Sequence, residues 1–236
     1  LAKLKLTVIG DIGCYTLGNA APLHMVDTCL CMGAAISMPQ GIARTGHDAV
    51  HFGFVGDSTF FHTGVNSLMN TVYNNSNTIN VILDNRITGM TGHQQNPGTG
   101  YTVKGEEANM IDMETLVRAI GIKHVKVIDP NNLKEVDEAF DAFWDLDEPS
   151  VIITRYPCVL KKFSPADLEQ FPGLFQTKNY VDAEKCIGCK LCQKTGCPAL
   201  IFDKATKKVV INRADCVGCD VCTQVCPKNA IVKEEK

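Results

Sequence analysis

The chain of 236 residues has no run of about eighteen consecutive apolar residues, the length a membrane-spanning helix needs. It also lacks an excess of basic residues: 23 Lys and Arg stand against 26 Asp and Glu, a formal charge of −3. That balance gives a nucleic-acid partner no electrostatic footing. It begins at Leu1, with neither an initiator Met nor the architecture of a secretory leader. We therefore expect the C-terminal part of a longer polypeptide, in a reducing, cytoplasmic setting with no membrane partner, where the 12 cysteines do not read as disulfides.

What the chain has in plenty is cysteine, eight of them between Cys186 and Cys226. The first run is Cys186-Ile-Gly-Cys189-Lys-Leu-Cys192, followed by Cys197-Pro198; the second is Cys216-Val-Gly-Cys219-Asp-Val-Cys222, followed by Cys226-Pro227. Zinc also binds C-x-x-C pairs, but it takes four ligands, whereas each run offers three evenly spaced thiols and a Cys-Pro. Three such thiolates suit three corners of a [4Fe–4S] cube, and in two-cluster ferredoxins the fourth cysteine of a run ligates the other cluster. The expected ligand sets are therefore Cys186, Cys189, Cys192 and Cys226 for one cluster, and Cys216, Cys219, Cys222 and Cys197 for the other. One spacing departs from the commoner pattern: four residues, Gln193 to Gly196, separate Cys192 from Cys197 where three are usual.

Upstream, short β-rich runs alternate with segments of helical period. Strands are expected at Leu6–Ile9, Val50–Val55, Ile79–Leu83, Val125–Ile128 and Val151–Arg155. Helices are expected at about Thr28–Arg44, His62–Tyr73, Met113–Ile120 and Leu133–Leu146. Val81-Ile82-Leu83 and Val151-Ile152-Ile153 are continuous and branched, as strands buried on both faces tend to be. The fold class is therefore α/β: a parallel-sheet domain over residues 1–157, a linker or wrapping arm over 158–178 punctuated by Ser164-Pro165 and Phe171-Pro172-Gly173, and a small ferredoxin-like domain over 179–236. So small a module has little core of its own, and cluster ligation is expected to supply much of its fold.

The strand at Val50–Val55 runs into Gly56-Asp57-Ser58, and the strand at Ile79–Leu83 runs into Asp84-Asn85. In a parallel sheet both ends meet at the carboxyl edge, where ligands bind. A carboxylate and an amide carbonyl are hard oxygen ligands suited to Mg²⁺. A glycine before the Asp lets backbone approach a phosphate, and the following helix points its N-terminus at that charge. Asp57 alone would equally serve as a helix N-cap.

Gly56-Asp57, then Asn85 at this spacing, resembles the thiamine-diphosphate motif. Asp84-Asn85-x-x-x-Gly89-Met90-Thr91-Gly92-x-Gln94, Gly10-Asp11-Ile12-Gly13-Cys14 and Tyr156-Pro157-Cys158-Val159 are similar to the 2-oxoacid:ferredoxin oxidoreductases. Fusion to a double-cluster module most resembles their indolepyruvate-type alpha subunits, over nearly the whole chain. The resemblance implies Mg²⁺ held by Asp57, Asn85 and the carbonyl of Ile87, with Gly56, Ser58, Gly89 and Thr91 around thiamine diphosphate. Ser58 departs from the family's usual Gly and Asp84 from its usual Asn. The resemblance also implies oxidative decarboxylation of an aryl 2-oxoacid with coenzyme A. Electrons would pass through both clusters to an external ferredoxin, and a beta subunit and further N-terminal domains would complete the enzyme. No residue here matches the family's cofactor-activating glutamate, so the chain alone is expected not to turn over.

Two alternatives stay open: another substrate such as pyruvate or 2-oxoglutarate, or an electron-transfer module with a vestigial thiamine domain. A non-redox decarboxylase shares Asp57 and Asn85 but has no use for eight cluster cysteines. Cys14 and Cys158 match positions that ligate a third cluster in related enzymes, or they are two buried thiols. Cys29 and Cys31 read as packing residues of a Gly/Ala-rich helix. His62 and His93 flank the cofactor motifs and either act on substrate or are structural.

Overall fold

The computed structural model describes residues 6–46, 50–175 and 177–234. The expected approach to the first strand at Leu4 and Lys5 lies outside them. The chain divides into two compact units, the first formed by Leu1–Asn19 with Met25–Lys161 and the second by Ala20–His24 with Lys162–Lys236.

In the first unit six strands make one parallel sheet: β1 (Leu6–Gly10), β2 (Thr28–Cys29), β3 (Val50–Gly56), β4 (Ile79–Asp84), β5 (His124–Ile128) and β6 (Ser150–Arg155). Their spatial order is β2-β1-β3-β4-β6-β5. Alternate side chains of the central strands go to opposite faces, as strand geometry requires. Val55, Ile82, Val151 and Ile153 pack with Ile36, Phe60, Leu68 and Val117 in one cluster. Phe52, Ile79, Val81 and Ile152 pack with Ala139 and Phe143 in the other. Hence the continuous apolar runs: these strands have no wet face.

Helix α1 (Ala34–Arg44) follows β2, and a helical segment follows β3 as α2 (Asp57–Thr59), a π-helical turn (Phe60–Gly64) and α3 (Val65–Tyr73). Two further helices, α4 (Met113–Ile120) and α5 (Leu133–Trp144), start where the sequence places them. Each has a polar side chain at its N-cap: Asp112 accepts from the backbone N–H of Thr115, and Asn132 from that of Glu135. On α5, Phe140 and Trp144 lie 5.3 and 5.8 Å, centroid to centroid, from the ring of Phe52.

Two helix starts differ from expectation. Residues 28–29 are not helical: Thr28 and Cys29 pair in parallel with Ile9 and Gly10, and the helix waits until Ala34, capped by Gly33 at φ 88°. The long-range ladder outcompetes the local helical period there. Cys29 and Cys31 accordingly lie outside the helix and are exposed, so they are not its packing residues. The helical segment after β3 begins at Asp57, five residues before the expected start, so its first turn belongs to the sheet edge.

The second unit holds α6 (Pro165–Gln170), with a capping box between Ser164 and Asp167. It also holds two antiparallel pairs, β7 (Asn179–Val181) with β10 (Ile231–Lys233) and β8 (Leu200–Asp203) with β9 (Lys208–Ile211). Between them run the cysteine loops, a 3₁₀ turn at Cys192–Thr195, and α7 (Val221–Gln224). The loops repeat each other in backbone. Gly188 and Gly218 both take positive φ, 67° and 73°, and a Cβ on either would strike a carbonyl oxygen, of Lys207 at 2.1 Å and Thr177 at 1.8 Å. Only glycine fits there. The additional residue before Cys197 is absorbed where the 3₁₀ turn closes on Gly196 at φ 73°.

Candidate functional site

Strands β1, β3 and β4 are neighbours, so Asp11, Asp57 and Asn85 emerge side by side along one sheet edge. The chain leaves β1 toward β2 and leaves β3 toward β4, in opposite directions across the sheet. A crevice opens at such a reversal. It is lined by every residue expected around the cofactor: Gly56, Asp57, Ser58, Asn85, Ile87, Gly89 and Thr91.

Asp57 is 3 % exposed. Its Oδ1 accepts the Ser58 N–H at 2.8 Å, and its Oδ2 accepts from Asn96 Nδ2 at 3.0 Å. Burial first, and the nearby charge of Asp84 second, push its pKa up to about 7. Asp84 itself is held by Arg155 at 2.7 Å and Arg86 at 3.4 Å. A buried carboxylate beside a second one is short of a cation, and a divalent ion there would supply it. Asn85 accepts the Ile87 N–H on Oδ1 at 3.2 Å, and Thr88 donates to Ser58 Oγ at 2.8 Å, so the two strand ends are tied together over the crevice. The Gly89–Gln94 segment is pinned by paired backbone bonds between Thr88 and Gln94. These donors fit a magnesium-bound diphosphate.

Three partners were not among the residues expected at the site. Asn96 reaches Asp57 from 39 positions away. Tyr15 accepts the Gly56 N–H on its hydroxyl at 3.0 Å, and burial followed by the charge of Asp11 raises its pKa. Asp11 accepts from the N–H groups of Ile12, Gly33 and Ala35, and so fixes the crevice wall to the start of α1. Its place in Gly10-Asp11-Ile12-Gly13-Cys14 was the available clue.

Cys14 lines the crevice and is exposed, so it is not a buried thiol. Cys158 is half-buried, and its backbone N–H donates to the carbonyl of Asn85 at 2.9 Å. His62 and His93 are exposed, and neither lines the crevice. We assign neither a catalytic role.

In the second unit Cys186, Cys189, Cys192 and Cys226 line one cavity, and Cys197 does not. The charges that bear on Cys192 come from Cys226 and Cys189. Burial drives the Cys222 thiol up to about 11; the charges that bear on it come from Cys219, Cys197 and Cys216, and those on Cys219 from Cys197, Asp220 and Cys216. Cys197 and Cys226 thus each sit with the other run. Among the described residues no three His, Cys, Asp or Glu side chains converge closely enough for a single metal ion. Two sets of four cysteine thiols are the donor sets that two [4Fe–4S] clusters take. None of the helices described here is long and apolar enough to cross a membrane.

Residues 11–154 match the family model for the thiamine pyrophosphate enzyme C-terminal TPP-binding domain, and residues 178–227 match a 4Fe-4S dicluster domain. The indolepyruvate oxidoreductase subunit IorA of Archaeoglobus fulgidus is 41% identical over 222 residues, covering 94% of this chain and 34% of that protein. The IorA subunit of Pyrococcus horikoshii is 39% identical over 239 residues, covering 94% and 36%. The chain therefore spans about a third of the length of these curated relatives. A solved 2-oxoglutarate:ferredoxin oxidoreductase from Magnetococcus marinus, with 2-oxoglutarate, coenzyme A and succinyl-CoA bound, is similar with a TM-score of 0.60. It is 19% identical and covers 71% of this chain and 60% of its own, a likeness of fold.

Proposed function

We propose, for a chain that belongs to the thiamine pyrophosphate enzymes, a part in the oxidative decarboxylation of an aryl 2-oxoacid of the indolepyruvate kind. Coenzyme A takes the acyl group, and electrons leave through two [4Fe–4S] clusters to an external ferredoxin. The observation that carries this reading is the pairing, in one chain, of a cation-seeking carboxylate in a sheet-edge crevice with two four-cysteine cages. The first suits a cofactor that yields electrons in pairs, the second groups that accept them singly. The choice of an aryl substrate over pyruvate or 2-oxoglutarate rests on the names of the IorA relatives.

Bound thiamine diphosphate supplies carbanion chemistry at the keto carbon, and the protein supplies position and electrostatics. Asp57, Asn85 and the carbonyl of Ile87 would hold Mg²⁺ against the diphosphate. Asn96 and the Ser58 N–H keep the Asp57 carboxylate in place for that task. Tyr15 holds the backbone of Gly56 at the crevice wall, where the diphosphate needs close approach. Cys186, Cys189, Cys192 and Cys226 would hold one cluster, and Cys216, Cys219, Cys222 and Cys197 the other. Cys14, at the crevice, and Cys158, whose N–H donates to the Asn85 carbonyl, would contribute to a third, completed by residues upstream. A beta subunit and further domains complete the enzyme and supply the cofactor-activating glutamate.

Calorimetric titration of the anaerobically prepared chain with thiamine diphosphate in Mg²⁺ tests the crevice. Saturable binding that is lost in Asp57→Ala supports it. No binding by the unaltered chain would leave an electron-transfer module with a vestigial thiamine domain.

A further inference from the structure

The two cysteine loops share their cysteines and glycine and differ at three positions, two of them exchanges between aliphatic side chains and one a reversal of charge. Cys186-Ile-Gly-Cys189-Lys190-Leu-Cys192 aligns with Cys216-Val-Gly-Cys219-Asp220-Val-Cys222. The backbone matches as well: Lys190 and Asp220 both take a left-handed conformation, at φ 61° and 63°. Neither residue type prefers that conformation strongly, yet the same fold places opposite charges between the second and third cysteine of each run.

The surroundings reinforce the difference. Lys190 Nζ sits 3.9 Å from the centroid of the Phe202 ring, and among the described residues no carboxylate pairs with it. It lines the cavity formed by Cys186, Cys189, Cys192 and Cys226, and so does Lys228, which follows Cys226-Pro227. Beside the second loop Lys233 Nζ meets Asp220 Oδ2, so that pair sums to about zero. Solvent access runs the same way at two matched positions: Cys189 and Ile187 are exposed where Cys219 and Val217 are half-buried, while Cys186 and Cys216 are alike. Both sulfur cages receive hydrogen bonds: Ala230 N–H to Cys226 at 3.3 Å and backbone donors on Cys192 in one, Asn179 Nδ2 to Cys222 at 3.9 Å and a backbone donor on Cys219 in the other.

Reduction adds one negative charge to a cluster. Positive neighbours and solvent stabilise the reduced form, and a negative neighbour opposes it. We infer that Lys190 and Asp220 set the two clusters at unequal potentials. The cluster on Cys186, Cys189, Cys192 and Cys226 is the more readily reduced and is the end from which electrons leave. In the step so biased one electron passes from the reduced cluster of the Cys216 run, which returns to its oxidised state, to the oxidised cluster of the Cys186 run. No bond changes and no proton moves. Oxidation of the 2-oxoacid supplies the electron, and a one-electron acceptor protein removes it. This inference rests on the two-cluster reading above. Lys190 and Asp220 act here as positioning charges and touch no substrate.

The test is redox poising of the anaerobically reconstituted 236-residue chain, read by EPR, with iron content measured first. Two clusters that reduce in separate steps are expected, with a gap that narrows at high ionic strength. Lys190→Asp should make its own cluster harder to reduce by about tenfold in the one-electron equilibrium, about 59 mV, and leave its neighbour nearly in place. Lys190→Gln should do the same in smaller measure, and Lys190→Arg should restore the original potential. Asp220→Lys should make the other cluster easier to reduce. Equal potentials in the unaltered chain, or potentials that Lys190→Asp and Lys190→Gln leave unmoved, would overturn the bias while the clusters stand. An iron content below that of two clusters would overturn the two-cluster reading, and the bias with it.

Discussion

Mg²⁺ with thiamine diphosphate should stabilise the chain more at about pH 8 than at about pH 6, and Asp57 is the reason. Its pKa rises from 3.8 to about 7 because burial, and then the charge of Asp84, penalise the ionised form. A carboxyl whose folded pKa exceeds its unfolded one favours folding through its proton. That contribution is complete below the unfolded value and is lost as pH rises through the folded one. At about 1.36 kcal/mol per pH unit, the rise corresponds to roughly 4 kcal/mol between the two ends of that window. A divalent cation against the carboxylate replaces the proton. At about pH 6 binding must therefore expel most of one proton from Asp57, whereas at about pH 8 the group is already charged and the cation binds without that competition. The assay is calorimetry in buffers of different ionisation enthalpy, with thermal unfolding of the cofactor-free chain over the same range. Asp57→Asn should lower the proton release by most of one proton, weaken cofactor binding, and flatten the decline in thermal stability between about pH 5 and pH 7. Equal proton release from the unaltered chain and from Asp57→Asn would refute the assignment.

Other outcomes follow from the same geometry. Cys226→Ser should damage the cluster held by Cys186, Cys189 and Cys192 and spare its neighbour, while Cys197→Ser should do the reverse; EPR of the reduced variants distinguishes them, and loss of the uncrossed cluster would contradict the cage assignment. Gly53→Ala should destabilise the first unit by about 1–3 kcal/mol, the usual cost of overpacking, because its Cβ would lie 1.8 Å from the carbonyl oxygen of Ala35 where α1 crosses β3. Thermal denaturation checks this, and an unchanged midpoint would mean that the helix gives way.

The parallel sheet and the cysteine cages were legible because each is written in local signals. Runs such as Val151-Ile152-Ile153 announce a strand buried on both faces, and triple-cysteine spacing announces a cube. Asp57 and Asn85 were legible as a pair because each directly follows such a strand. What escaped depends on partners far along the chain. Asn96 has no local feature that points to Asp57, and Tyr15 reaches Gly56 across 41 positions. The helical period at Thr28–Met32 was outweighed by the ladder to Ile9 and Gly10, which no window of neighbouring residues reveals. The exposure of Cys29 and Cys31 follows from that same loop geometry. His62 falls within the π-helical turn and is exposed, and periodicity gives no sign of that turn.

One measurement bears most directly on the coupling of crevice to clusters. The chain, assembled with its beta subunit and remaining domains and loaded with thiamine diphosphate and Mg²⁺, is mixed anaerobically with indolepyruvate and coenzyme A and frozen for EPR. Reduced [4Fe–4S] signals that need the 2-oxoacid, and vanish in Asp57→Ala while dithionite still reduces both clusters, are the predicted result. Clusters that stay oxidised with every 2-oxoacid tried, in a complex that binds thiamine diphosphate and that dithionite reduces, would contradict it.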